Sequence, residues 1–218
     1  MNIYFLSGLG VDKRVFQNLT LSKDLSSHDI DWIEPLPRET ISSYAKRLSA
    51  VIDQTKPFVL IGLSFGGMIA IEMNQFVRPA KTIIISSAAN QLELPWFVKI
   101  IRFMPLYKVM PLQLFRKPNR FFYYLFGIKT QGEKNLLNEI LHDTSPSILI
   151  WSINAISNWR NKTTFSNVIH IHGTADKLLP IKYTKTHITV EGGEHFMIYS
   201  RAREISQILN ELLAQPQL

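Results

Sequence analysis

Three residues in this chain have the types and surroundings that nucleophilic catalysis needs. Ser64 lies in Gly62-Leu63-Ser64-Phe65-Gly66, a G-x-S-x-G run. A serine on a tight strand-to-helix turn has a strained backbone with its neighbours pressed close. Glycines two before and two after remove the side chains that would block such a turn. A serine hydroxyl is a weak nucleophile until a base takes its proton, and the base needs an acid to hold its tautomer. His195, in Gly192-Gly193-Glu194-His195-Phe196, is the candidate base. Asp176, in His172-Gly173-Thr174-Ala175-Asp176, is the candidate acid. Together they point to attack on a carbonyl carbon, with an acyl-enzyme then resolved by water.

The serine pattern alone is weak, since chance produces it about once in 15 chains of this length. The elements around it carry more. Phe58-Val59-Leu60-Ile61 reads as the strand that must precede the turn, and Met68 to Val77 as the helix that must follow, stopped by Pro79. Further strands are expected at Ile3 to Leu6, Ile30 to Ile33, Thr82 to Ile85, Val168 to Ile171 and Ile188 to Val190. Thr40 can N-cap a helix with apolar positions Ile41, Tyr44, Ala45, Leu48, Val51 and Ile52, and an amphipathic helix is expected near Arg201 to Leu213. These strands are apolar runs without polar alternation and they alternate with helices. The expected class is therefore α/β, a mostly parallel, doubly wound sheet of about six strands. Asp176 and His195 fall just beyond the fifth and sixth strands. They thus share with Ser64 the carboxyl edge, where open α/β sheets bind ligands.

Between the fourth and fifth strands the pattern changes. Residues 88–160 contain helical stretches punctuated by Pro95, Pro105, Pro111 and Pro118, and aromatics such as Trp96, Phe103, Tyr107, Phe115, Phe122 and Phe126. They read as a helical lobe inserted over one end of the sheet, with 1–87 and 161–218 forming the core of a single domain. The chain's net charge of +7 concentrates here: 88–160 holds nine Lys/Arg against four acids, and the remainder is nearly balanced.

The sequence resembles the α/β-hydrolase superfamily over nearly its whole length. The residues that carry the resemblance are Gly62 to Gly67, His172 to Asp176 with Pro180 after it, and Gly193 to Phe196. The resemblance implies strand order 2-1-3-4-5-6, with the chain starting near that family's third strand and residues 88–160 standing as its helical cap. It also implies an oxyanion hole from the backbone N–H of Phe65 and of Leu9 in the loop after the first strand. Many relatives begin that loop with His-Gly; this chain has Ser7-Gly8.

Other residues invite competing readings. Asp143 could replace Asp176 as the triad acid. His170 and His172 share one strand face and suggest a metal pair, but no third ligand is apparent, so structural histidines and no metal are expected. Glu194 is expected on the solvated surface. Gly8 and Gly10 hint at a dinucleotide loop, but no G-x-G-x-x-G or Walker pattern completes it, so no cofactor is expected. Cysteine is absent, which removes disulfides, thiolate metal sites and a cysteine nucleophile.

The expected activity is a serine hydrolase, a carboxylic ester hydrolase acting on a small to medium apolar ester, with a small-molecule partner bearing an apolar acyl or alcohol group. The alternatives on the same triad are a lyase, a C–C or thioester-processing enzyme akin to the menaquinone-pathway synthase, or a slow-turnover receptor. The lobe's cations beside aromatics leave peripheral membrane contact as a further reading. No nucleic-acid motif accompanies them. With no signal-peptide pattern and no 18-residue apolar run, a cytoplasmic protein is expected.

Overall fold

The computed structural model describes residues 1–103 and 118–215. Pro105, Pro111, Tyr107 and Phe115 lie outside the described residues, as do the cations Lys108, Arg116 and Lys117.

Six strands form one sheet in the order β2-β1-β3-β4-β5-β6, all parallel. They are β1 (Asn2–Leu6), β2 (Ser26–Ile30), β3 (Phe58–Leu63), β4 (Lys81–Ile85), β5 (Val168–Gly173) and β6 (Ile188–Val190). Every residue of β3 and β4 is buried, which explains why their sequences carry no polar alternation. Alternate residues feed two cores. Leu60 and Ile84 face one, with Tyr44 and Leu48 of helix α1 (Ile41–Leu48) and Met68 and Ile69 of helix α2 (Phe65–Met73). Val59, Ile61, Ile83 and Ile85 face the other, with Leu209 and Leu212 of helix α8 (Ala202–Ala214). Each fully buried branched side chain contributes about 1.5–3 kcal/mol.

Three boundaries differ from expectation. The second strand is Ser26–Ile30, not Ile30 to Ile33, and four of its five residues are exposed. It is an edge strand, where polar residues are tolerated and apolar patterning fades. Helix α1 starts as expected, with Thr40 and Ser43 capping each other. It tightens into a 3-10 turn after Leu48, however, which leaves Val51 65% exposed rather than on the buried face. Helix α2 begins at Phe65, three residues earlier than expected, and ends at Met73. Its first turn includes Gly66, where a Cβ would run into the carbonyl oxygens of Leu6 and Ser7. The glycine that argues against a helix by propensity is there to let the helix touch β1 backbone to backbone.

Between β4 and β5 the described residues form α3 (Trp96–Phe103), α4 (Arg120–Phe126), α5 (Gln131–Asp143) and α6 (Pro146–Asn158). Three of these starts have a local cause. Asn119 caps α4, Thr130 and Glu133 form a capping box on α5, and Pro146 sits in the first turn of α6. The segment is tied to the core through tryptophans: Trp159 Nε1 donates to Glu72 of α2 (2.7 Å) and Trp151 Nε1 to the Glu39 carbonyl (2.9 Å). A short helix α7 (Met197–Ser200) precedes α8. Lys81, buried at the start of β4, donates from Nζ to the carbonyls of Leu212 (2.6 Å) and Gln215 (3.0 Å), closing the end of α8.

Candidate active site

The turn after β3 places Ser64 in a conformation that side chains rarely adopt, φ 51° and ψ −118°. Such a backbone costs on the order of 1–3 kcal/mol and persists only where its surroundings fix it. Here the Ser64 N–H donates to the Ile85 carbonyl (2.9 Å), and the Ser64 carbonyl accepts from Ser87 Oγ (2.6 Å) and the Gly67 N–H (3.0 Å). Ser86, at the matching end of β4, also has positive φ, 47°. Two adjacent central strands therefore end in paired kinks that lift Ser64 above the carboxyl edge.

The structure brings Ser64, His195 and Asp176 together from three loops. Ser64 Oγ lies 3.0 Å from His195 Nε2, and His195 Nδ1 lies 2.8 Å from Asp176 Oδ2. The carboxylate can only accept, so Nδ1 carries the proton and Nε2 is bare toward the serine hydroxyl. The other oxygen, Asp176 Oδ1, accepts the N–H groups of Leu178 (2.9 Å) and Leu179 (2.8 Å). Burial opposes charge on Asp176, but His195 and the Leu179 N–H outweigh it and hold the carboxyl below its ordinary value.

Phe65 is the first residue of α2, so its N–H points out of the helix's positive end. Leu9 follows Gly8, where a Cβ would stand 3.2 Å from the Ser64 Cβ, so the β1 loop passes close against the serine. Among the described residues, the N–H groups of Leu9 and Phe65 make no hydrogen bond outside their own elements. Ser7 has a structural use that its sequence position does not reveal. Its hydroxyl donates to the Val11 carbonyl (2.8 Å) and accepts from Trp32 Nε1 (2.8 Å), folding the loop onto itself. Trp32 in turn stacks on Phe65, with ring centroids 5.5 Å apart.

Two expectations need correction or sorting. Glu194 is not a solvated surface residue. Its side chain is 12% exposed and bridges Lys129 (2.7 Å) and Lys177 (2.8 Å), and these cations overcome burial to keep its carboxyl below the ordinary value. Asp143 is spoken for elsewhere, 58% exposed and paired with Arg14 at 2.8 Å, so Asp176 alone faces His195. His170 and His172 are fully buried and bond to each other, Nε2 to Nδ1 at 2.9 Å. Among the described residues no group of three or more His, Cys, Asp or Glu side chains is placed to hold a metal ion.

Sequence reasoning named Phe122 and Phe126 among the lobe's aromatics but did not place them against His195. The Phe126 ring of α4 stands edge-on to His195 at 5.2 Å and stacks on Phe122 at 4.1 Å. The Phe196 N–H donates to the Phe126 carbonyl (3.0 Å), fixing that contact. Two aromatics four apart on a helix are legible in sequence, but their target 69 residues downstream is not. No described helix is long and apolar enough to cross a membrane.

Solved structures share this arrangement of elements. A lipase-esterase related protein from Clostridium acetobutylicum is 17% identical, with a TM-score of 0.70 over 96% of this chain and 93% of that one. An esterase from Exiguobacterium antarcticum is 16% identical, with a TM-score of 0.69 over 99% and 92%. MenH from S. aureus is 15% identical, with a TM-score of 0.67 over 98% and 93%. At such identities the likeness is one of fold. No curated protein matches the sequence. The sequence model of the alpha/beta hydrolase family matches residues 3–208, and the chain, with its six-stranded parallel sheet, belongs to that family.

Proposed function

We propose that this protein is a serine hydrolase that cleaves a small to medium apolar carboxylic ester through an acyl-enzyme. The observation that carries the reading is the unbroken run from Ser64 Oγ through His195 to Asp176, both links at 3.0 Å or less. Ser64 Oγ attacks the ester carbonyl carbon as His195 Nε2 takes its proton. The N–H groups of Leu9 and Phe65 stabilise the oxyanion; one such donor is typically worth about 2.7–4 kcal/mol in rate. The C–O bond to the leaving alcohol breaks as His195 returns the proton to it. Water, deprotonated by the same nitrogen, then releases the acid and restores Ser64. Phe126, beside His195 and stacked on Phe122, favours an apolar substrate group over a charged one.

The test is labelling by a fluorophosphonate, comparing wild type with Ser64→Ala. The expected result is labelling at neutral pH that disappears in the variant; folded wild type that resists the reagent overturns the serine nucleophile. A panel of short to long acyl esters then reads the pocket. Labelling without turnover of any ester overturns ester hydrolysis and directs attention to elimination, C–C or thioester chemistry on the same residues.

A further inference from the structure

Two buried histidines lie behind Asp176, and the reaction above does not use them. Their tautomers follow from geometry. His172 Nε2 lies 2.7 Å from the Leu179 carbonyl, which can only accept, so Nε2 carries the proton. Burial pushes His172 toward its neutral form, so its Nδ1 is a bare acceptor. His170 Nε2, 2.9 Å away, must then donate to it. That leaves His170 Nδ1 bare, 3.7 Å from Glu93 Oε2 and with the Ser87 backbone also against the ring. The only proton arrangement that satisfies this run while both rings are neutral is Nε2–H on both.

The run ends on the residues that grip the triad acid. Leu179 gives its N–H to Asp176 Oδ1 and receives the His172 proton on its carbonyl. The same His172 Nε2 is 3.5 Å from Asp176 Oδ2, the oxygen bonded to His195. His172 thus braces the 176–179 turn and turns a positive N–H edge toward the carboxylate. Both rings are fully buried on one face of β5, so neither can swing away.

We propose that His170 and His172 are positioning residues for the catalytic acid: His172 holds the Leu179 peptide and the Asp176 carboxylate in register with His195, and His170 locks His172 in the tautomer that can do so. This rests on the serine hydrolase reading. A displacement of a reacting group by about 1 Å can cost on the order of 100-fold in rate, so a brace two bonds from the carboxylate has leverage without touching substrate.

The experiment has two arms. In wild type, long-range ¹⁵N–¹H NMR of the ring nitrogens is expected to show Nε2–H on both His170 and His172 at neutral pH. An Nδ1–H tautomer on His172 overturns the proposal, whether or not the protein proves to be a hydrolase. In the second arm, the fluorophosphonate labelling rate is measured against pH. His172→Leu is expected to slow labelling by about 10- to 100-fold and to move the acidic limb to lower pH, because a less ordered carboxylate stabilises the His195 imidazolium less. His172→Gln, whose amide N–H can replace the lost donor, is expected to recover most of the rate. The groups facing the pair are Glu93, His187 and Asp176, with His195 acting on His172 from beyond Asp176. All four stay unchanged in these variants. Folded His172→Leu with wild-type rate and profile overturns the proposal, as does a His172→Gln no better than it. If His172→Leu does not fold, His170→Leu decides. It removes the donor to His172 Nδ1 and is expected to slow labelling, and an unchanged rate overturns the proposal. Absence of Ser64-dependent labelling in wild type defeats the hydrolase reading instead, and the NMR arm tells the two failures apart.

Discussion

Beneath His195 the molecule is buried, closely packed and hydrogen-bonded; beside it, the helical segment is aromatic and half open. On the sheet side Asp176, His170 and His172 are buried and their links to one another and to His195 run between 2.8 and 3.5 Å. On the helical side α4 has no fully buried residue, and Trp96 and Phe103 of α3 are 62% and 76% exposed. The difference separates two tasks. Under the proposed reaction, orientation of reacting atoms demands rigidity to fractions of an ångström, which parallel strands can supply. Acceptance of an apolar group would demand surface and tolerance, which short amphipathic helices can supply.

The comparison is broken or sharpened by substitutions on its two sides. The largest effect should come from Asp176→Asn, which leaves His195 without its orienting carboxylate. Ester turnover is expected to fall by about 10⁴-fold, whereas Phe126→Leu should alter KM across an ester series and leave kcat within about 10-fold. A Phe126→Leu loss as deep as that of Asp176→Asn would erase the distinction. Stability should divide in the same way. Gly66→Ala forces a Cβ into backbone carbonyls and should cost about 3 kcal/mol or more in urea denaturation, the upper end for overpacking. Gly132→Ala on α5, where a Cβ meets nothing within 4 Å, should gain up to about 1 kcal/mol.

Acid should expose the sheet side first. Burial, with His172 and His187 nearby, lowers His170 from 6.5 to about 3. The unfolded chain therefore binds a proton below pH 6.5 that the native chain refuses. The stabilising contribution is complete above 6.5 and declines as pH falls toward the native value, by about 1 kcal/mol per pH unit. Urea unfolding at pH 7.5, 6 and 5 should show that slope in wild type and a flatter one in His170→Leu. Asp176, whose native value lies below the usual carboxylate range, adds its own loss only at still lower pH. The smallest effect belongs to Lys129→Ala. That lysine is 74% exposed, and its pairing with Glu194 should be worth less than about 1 kcal/mol.

The approach of Ser64, His195 and Asp176 was legible in sequence because its signals are local. Gly62 to Gly66 encodes a backbone shape that few other residues can take, and the apolar runs of β3 to β5 put Asp176 and His195 on the same edge as Ser64. What stayed hidden depends on partners far along the chain. Glu194 looked solvated because nothing in its neighbourhood announces Lys129, 65 residues upstream. The edge strand Ser26–Ile30 is polar enough to read as a loop, and the apolar stretch after it drew the boundary too late. His170 and His172 were visible as neighbours on one face; that they bond to each other and to Leu179 needed the strand twist and the following turn in three dimensions.

The Lys81 ammonium ties the last turn of α8 to the first residue of a central strand. The last turn of a helix ordinarily frays, and its amide hydrogens exchange with solvent within the lifetime of small local openings. Here fraying requires breaking charge-assisted bonds anchored beside the sheet that carries Ser64. Helix α8 is therefore expected to exchange with the slow cooperative unit of the sheet, opening only when the core opens. Lys81→Met should decouple the two, giving α8 a fast phase while β3 and β4 stay protected.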